Sequence, residues 1–214
     1  MTEYHKIQTV FKRDPETRQI IEGEYTTPEF AYLAENDWVF TEKVDGTNIR
    51  IIWDGERVHY GGRTDNASIP TFLLDRLRDL FEAPAAANHS IFSSSEAVLY
   101  GEGYGARIQK GGGNYNPNGC DFALFDVSVG GLWLERENVA AIGEALGVGV
   151  VPVIGAGGLL DGIKLVREGF VSQWGNFVAE GIVARPQREL CDRRGKRIIT
   201  KIKHCDFVER NHGH

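Results

Sequence analysis

With 214 residues, 42% hydrophobic and 25% charged, the chain has the make-up of a globular domain with one sizeable core. Its formal charge of −6, from 24 Lys+Arg against 30 Asp+Glu, excludes a protein that coats nucleic acid through a bulk positive field but leaves room for a local basic groove. There is no apolar leader and no run of roughly 18 apolar residues, and Cys120, Cys191 and Cys205 are an odd set without C-x-x-C; the expectation is a cytoplasmic protein with no membrane association and no disulfide framework.

In chain order, "DWVFTEKV" and "TNIRIIW" alternate or run apolar and predict strands, and Asp54-Gly55 predicts a hairpin turn into the strand "ERVHYGG". "IPTFLLDRLRDLF" places Phe72, Leu73, Leu77, Leu80 and Phe81 on one face of a helix that Pro70 opens. "AVLYGEG" and "CDFALFDVSV" read as buried strands, and "ERENVAAIGEALG" as a helix ended by Gly147. "VGVVPVIG" predicts a strand, "GLLDGIKLVREG" a helix, "NFVAEGIVARP" a strand closed by Pro186, and "KRIITKIKH" a last strand. Strands outnumber helices and hairpin signals recur, so the predicted class is α+β with largely antiparallel sheets. The glycine-rich "GEGYGARIQKGGGNYNPNG" matches no phosphate-binding fingerprint. It reads either as a loop near a site, offering Arg107 and Lys110 to a substrate, or as plain solvated loop.

The chemistry centres on "TEKVDGTNIRI", where Lys43 sits in a turn beside Asp45 and Gly46. A lysine amine attacks only when neutral, and with an ordinary pKa of about 10.4 roughly one in a thousand is neutral near pH 7.4. Bringing it near 7 takes roughly 4–5 kcal/mol of differential stabilisation, which calls for a packed pocket or neighbouring cations. Lys201 and Lys203 alternate with Ile202 and so share one face of a strand, where they qualify as those cations. Glu180, a carboxylate among apolar residues in "VAEGIV", has to be paired or face a site. By themselves these residues are equally compatible with a solvated turn and a basic exposed strand. His204, Cys205, Cys191 and His212 fit none of the common zinc spacings.

"EKVDGTN" resembles the first motif of the covalent nucleotidyltransferases, the superfamily of DNA ligases, RNA ligases and mRNA capping enzymes. Thr47-Asn48 in particular is similar to the RNA ligase 2-like branch, where DNA ligases usually carry an arginine. The further motifs follow in the family's order: "GGRTDN" with Arg63, "YGEGYG" with Glu102, "FALFDV" with Phe125 and Asp126, "AEGIVAR" with Glu180, and "ITKIKH" with Lys201 and Lys203. The resemblance runs from about residue 38 to 204. It implies a nucleotidyltransferase (ATP-grasp-like) domain of two largely antiparallel sheets flanked by helices, spanning 1–214 as one unit.

The resemblance also implies roles. Lys43 is the catalytic nucleophile on the α-phosphate of ATP; Glu42, Asn48, Arg63, Glu102, Phe125, Lys201 and Lys203 bind the nucleotide; Asp45 and Glu180 serve Mg²⁺ or Mn²⁺; Gly46 and Asp126 support. Phe125 is expected to stack on the base, Glu102 to accept from the ribose, and Gly46 either to admit the nucleotide or to supply positive φ. The implied activity is ATP-dependent RNA ligation through a lysyl-AMP, joining a 5′-phosphate to a 3′-hydroxyl. A capping-type guanylyltransferase and a non-catalytic binding module of the same fold compete with it. Only "HCDFVERNHGH" follows the last motif, so no separate C-terminal domain is expected, which leaves a place for a protein partner in substrate engagement.

Overall fold

Residues 3–82 and 90–208 are described by a computed structural model of the chain. Its elements are β1 (Gln8–Thr9), β2 (Phe11–Arg13), β3 (Ile20–Tyr25), α1 (Pro28–Tyr32), β4 (Trp38–Glu42), β5 (Thr47–Trp53), β6 (Val58–Gly62), α2 (Thr71–Phe81), β7 (Ala97–Gly105), α3 (Gly112–Tyr115), β8 (Cys120–Val129), β9 (Leu132–Trp133), α4 (Arg136–Leu146), β10 (Gly149–Val150), β11 (Val153–Gly157), α5 (Leu159–Glu168), β12 (Gly181–Pro186) and β13 (Thr200–Lys203). They sort into two units, Met1–His5 with Val44–Val151 and Lys6–Lys43 with Pro152–His214.

The first unit is built on a sheet of order β10-β8-β7-β5-β6, antiparallel except for the parallel β10/β8 pair, with β9 added to β8. Alternation along β5 sends Ile49, Ile51 and Trp53 to one face, where they pack with Leu73, Leu77 and Phe81 of α2 and Val139 and Leu146 of α4. Asn48 and Arg50 go to the other face. A register break between Tyr100 and Gly101 makes Phe125 the extra residue of a bulge in β8, so that Leu124 and Val127 both reach the core while Asp126 sits opposite Tyr100. The first turn is as expected, with Asp54 Oδ1 accepting from the N–H groups of Glu56 and Arg57.

The second unit carries the order β1-β13-β12-β4-β11, antiparallel except for β1/β13, and a separate β2-β3 pair. Trp38 and Phe40 of β4, Ile182 and Ala184 of β12 and Ile202 of β13 form its core with Phe30 of α1 and Leu159, Ile163 and Val166 of α5. The α+β class and the two largely antiparallel sheets stand.

Several boundaries differ from the expectation. "VGVVPVIG" is two strands in two different sheets, separated at Val151-Pro152, where proline lacks the N–H a ladder needs. β4 and β5 also belong to different sheets, and the Lys43 turn is the crossover that joins them. Phe72 is 38% exposed, and α2 buries the narrower stripe Leu73, Leu77 and Phe81. β12 begins at Gly181, after Glu180, and β13 is confined to Thr200–Lys203. Among the described residues no helix is long and apolar enough to cross a membrane.

Candidate active site

In the second unit the alternation of β4 decides what surrounds Lys43. Trp38, Phe40 and Glu42 share one side, and Glu42 is accordingly buried, 1% exposed. Its carboxylate accepts from Ser172 Oγ (2.5 Å) and from the Gln173 N–H (2.8 Å), and Ser172 Oγ in turn accepts from the Trp174 N–H. Glu42 therefore ties down the segment that leads to Glu180. Each oxygen of its carboxylate accepts one of these bonds.

Lys43 extends the ladder, its N–H donating to Gly181 O (2.9 Å), and its Nζ donates to Glu180 Oε2 at 2.6 Å. The other oxygen of Glu180 pairs with Lys203 Nζ, also at 2.6 Å. Glu180 is thus the counter-ion of two lysines, which is how a carboxylate among apolar neighbours is compensated. Lys201 and Lys203 share a side as expected, with Ile202 in the core. Among the described residues Lys201 makes no ion pair, and burial, then the neighbouring ammoniums of Lys203 and Lys43, hold its pKa below the ordinary lysine value. The pressure expected on Lys43 is visible on Lys201.

In the first unit, Asp45 Oδ2 accepts from the Gly111 N–H (3.0 Å), fastening the glycine-rich segment just ahead of α3. Arg107 and Lys110 of that segment are exposed. Gly46 supplies no positive φ; a Cβ there would meet Gly103 O at 2.2 Å, so close approach to β7 dictates glycine. Asn48 lies opposite Glu102 across β5/β7, and its buried side-chain oxygen has no hydrogen-bond partner among the described residues. Arg63 is exposed in the loop after β6.

That loop is held by Arg50, which is 1% exposed: Nε donates to Gly62 O (2.7 Å) and Nη2 to Asp65 Oδ1 (2.8 Å), so the bonded residues flank Arg63. Phe125 is partly buried, its ring edge-on to Tyr4 at 5.1 Å and its carbonyl accepting from Arg136 Nη1. Asp126 is fully buried and accepts from Tyr4 Oη at 2.5 Å. Asn48, Arg50, Glu102 and Asp126 thus gather on one face of the first sheet, while Lys43, Glu180, Lys201 and Lys203 gather in the second unit.

Two residues, Arg50 and Tyr4, and the tie of Glu42 to Ser172 were missed. Arg50 left a signal, a charge inside the apolar run "IRIIW", and so did the burial of Glu42, which shares the parity of Trp38 and Phe40. Tyr4 left none, since its bond to Asp126 spans 122 residues of sequence. For zinc, His204 Nδ1 is bonded to Val166 O, His212 lies outside the described residues, and among the described residues no three His, Cys, Asp or Glu cluster as a metal site.

The RNA ligase family profile matches residues 36–203. Among solved structures, Naegleria gruberi RNA ligase recurs. A single-site mutant with ATP and Mn is 17% identical with a TM-score of 0.64, covering 82% of this chain and 52% of that one. A second mutant with ATP and Mn is 16% identical with a TM-score of 0.68, covering 95% and 56%. The enzyme with PPi is 18% identical with a TM-score of 0.63, covering 94% and 61%. This chain therefore matches little more than half the length of those structures. A comparison with curated proteins finds no match.

Proposed function

We propose that this chain, which belongs to the RNA ligase family, uses Lys43 to take AMP from ATP and passes it to a 5′-phosphate RNA end for sealing to a 3′-hydroxyl. The observation that carries the proposal is the lysine cluster of the second unit. Lys43 is fixed against Glu180, and Lys201 beside it is a half-buried ammonium that makes no ion pair among the described residues. Such a group is destabilised in the free protein and relieved by a polyanion, which suits it to a nucleotide phosphate.

In the first step the neutral Lys43 Nζ attacks the α-phosphorus, forming the N–P bond as the P–O bond to pyrophosphate breaks. Glu180 Oε2, in contact with the ammonium, receives the proton that has to leave beforehand. Lys201 and Lys203 stabilise the charge that develops on the phosphate oxygens. From the resemblance we assign Asn48 and Glu102 to the nucleoside, Phe125, whose ring packs edge-on to Tyr4, to the base, and Arg63 to phosphate or to the RNA terminus. Asp126 supports through Tyr4, and Glu42 serves by holding the 172–174 segment.

Asp45 and Glu180 are the carboxylates we assign to a divalent cation. Carboxylate oxygens are hard donors of the kind that would suit Mg²⁺ or Mn²⁺. A bound ion would neutralise triphosphate charge.

The test is transfer. Protein loaded with α-labelled ATP is given 5′-phosphorylated RNA annealed beside a 3′-hydroxyl strand, with an arm using GTP. Labelled AppRNA and then a sealed product support the reading. Loading from GTP alone would move it to a capping-type guanylyltransferase, and loading from neither to a binding module.

A further inference from the structure

The chain between β12 and β13 carries a feature that the nucleotide chemistry does not use. Residues 188–197, "RELCDRRGKR", hold five cations against two carboxylates in a chain whose formal charge is −6. The segment is an ordered hairpin: Ile198 N–H donates to Leu190 O, Cys191 bridges Arg197, and Asp192 N–H donates to Lys196 O. Its turn is closed by Asp192 Oδ1, which accepts from the N–H groups of Arg194 and Lys196, with Gly195 at φ +75°.

Both carboxylates are used inside the hairpin. Glu189 receives a two-pronged bond from the buried guanidinium of Arg197, Nε to Oε1 at 2.5 Å and Nη2 to Oε2 at 2.7 Å. Asp192 closes the turn. Arg193, Arg194 and Lys196 are left exposed, and among the described residues none of them makes an ion pair. A flexible run of like charges is ordinarily just a solvated tail. Here the backbone is fixed, so three cations are presented without the ordering cost a loose loop would carry on binding.

We infer that this hairpin is a contact for the phosphate backbone of the RNA strand, and the inference rests on the ligase reading above. The tip "RRGK" offers charge and guanidinium forks with no aromatic side chain for a base to stack on, which suits phosphate oxygens. Its second arm runs directly into β13, so Lys196 and Lys201 are five residues apart, about 16 Å if extended. The tip is thus joined by a short stretch of backbone to the strand whose lysines we assign to the reacting phosphate. In an acidic chain such a basic cluster supplies the local electrostatic affinity that net charge denies.

The experiment compares the full chain with a variant carrying Arg193→Ser, Arg194→Ser and Lys196→Ser, after circular dichroism and melting show both folded. Binding of a 5′-phosphorylated single-stranded RNA is measured without nucleotide across 50–200 mM salt, assay values chosen to span the range where phosphate contacts weaken. The expected result is a binding loss of roughly tenfold or more at low salt, and a log K against log salt slope shallower by about 2, three contacts at about 0.7 each. An unchanged affinity and slope would overturn the hairpin contact. So would competition by a poly-glutamate peptide as effective as by RNA, which would mark the hairpin as a protein contact. AMP loading from ATP alone, measured in parallel on the unsubstituted chain, judges the ligase reading separately, because the binding comparison does not depend on it.

Discussion

Glu42 in one unit and Arg50 in the other are full charges buried beside residues of the candidate site, and they are held differently. Glu42 precedes Lys43 and is satisfied by neutral donors, a serine hydroxyl and a backbone N–H. Arg50 lies two residues after Asn48 and is held by a carbonyl and by Asp65, a carboxylate that is itself 62% exposed, while its buried Nη1 has no hydrogen-bond partner among the described residues. Glu42's serine partner is sealed in with it, whereas Arg50's carboxylate can turn to water. The difference teaches which side of each arrangement is vulnerable. Removing Glu42 strands a buried donor, while removing Asp65 strands a buried cation.

The largest effect is expected from Glu42→Ala, about 3 kcal/mol in urea unfolding, since it leaves the Ser172 hydroxyl buried and opens a cavity. AMP loading falls with it, because the 172–180 segment positions Glu180. Ser172→Ala keeps the charge and loses one bond to it, about 1.5 kcal/mol. A loss below about 0.5 kcal/mol for Glu42→Ala, the range of ordinary surface changes, would break the comparison.

Asp65→Ala comes next, with a loss greater than its exposure suggests, because Arg50 then stays charged and buried on one carbonyl. Arg50→Met is expected to cost less, about 1 kcal/mol, and the double variant should recover toward it. A double variant as unstable as the sum of the singles would contradict the clamp.

The smallest stability effect has the opposite sign. Lys201→Met is expected to stabilise the free chain by about 0.5 kcal/mol while abolishing AMP loading, as happens where a site holds an uncompensated charge. Lys201 binds its proton less tightly folded than unfolded. Its penalty is therefore full below its lowered folded value and fades as pH rises toward the ordinary value near 10.5, so the stability gap to the methionine variant narrows over that window. A gap that widens with pH would contradict the burial argument.

Much of this was legible beforehand because strand parity is a local signal. Period-two alternation separated Ile202 from Lys201 and Lys203, and Gly147 ended its helix at φ +67° as its position predicted. What was not legible is contact across long separations. Nothing around Tyr4 points to Asp126, and nothing in "VGVVPVIG" says that its halves enter different sheets, apart from a proline whose meaning depends on the ladder it interrupts. For Gly46 the sequence offers nucleotide approach or positive φ, and the fold adds a lack of space against Gly103. The motif residues were found as a list; their grouping on two separate sheets is a property of the fold.

The central claim is that Lys43 is the nucleophile, and the direct measurement is intact mass after incubation with Mg²⁺ and ATP, with peptide mapping of any adduct. Protein is first cleared of bound AMP with pyrophosphate, and Lys43→Ala is run beside it. The account predicts a gain of one AMP, mapped to Lys43 and absent from the variant. No gain, or an adduct that persists in Lys43→Ala, would contradict it.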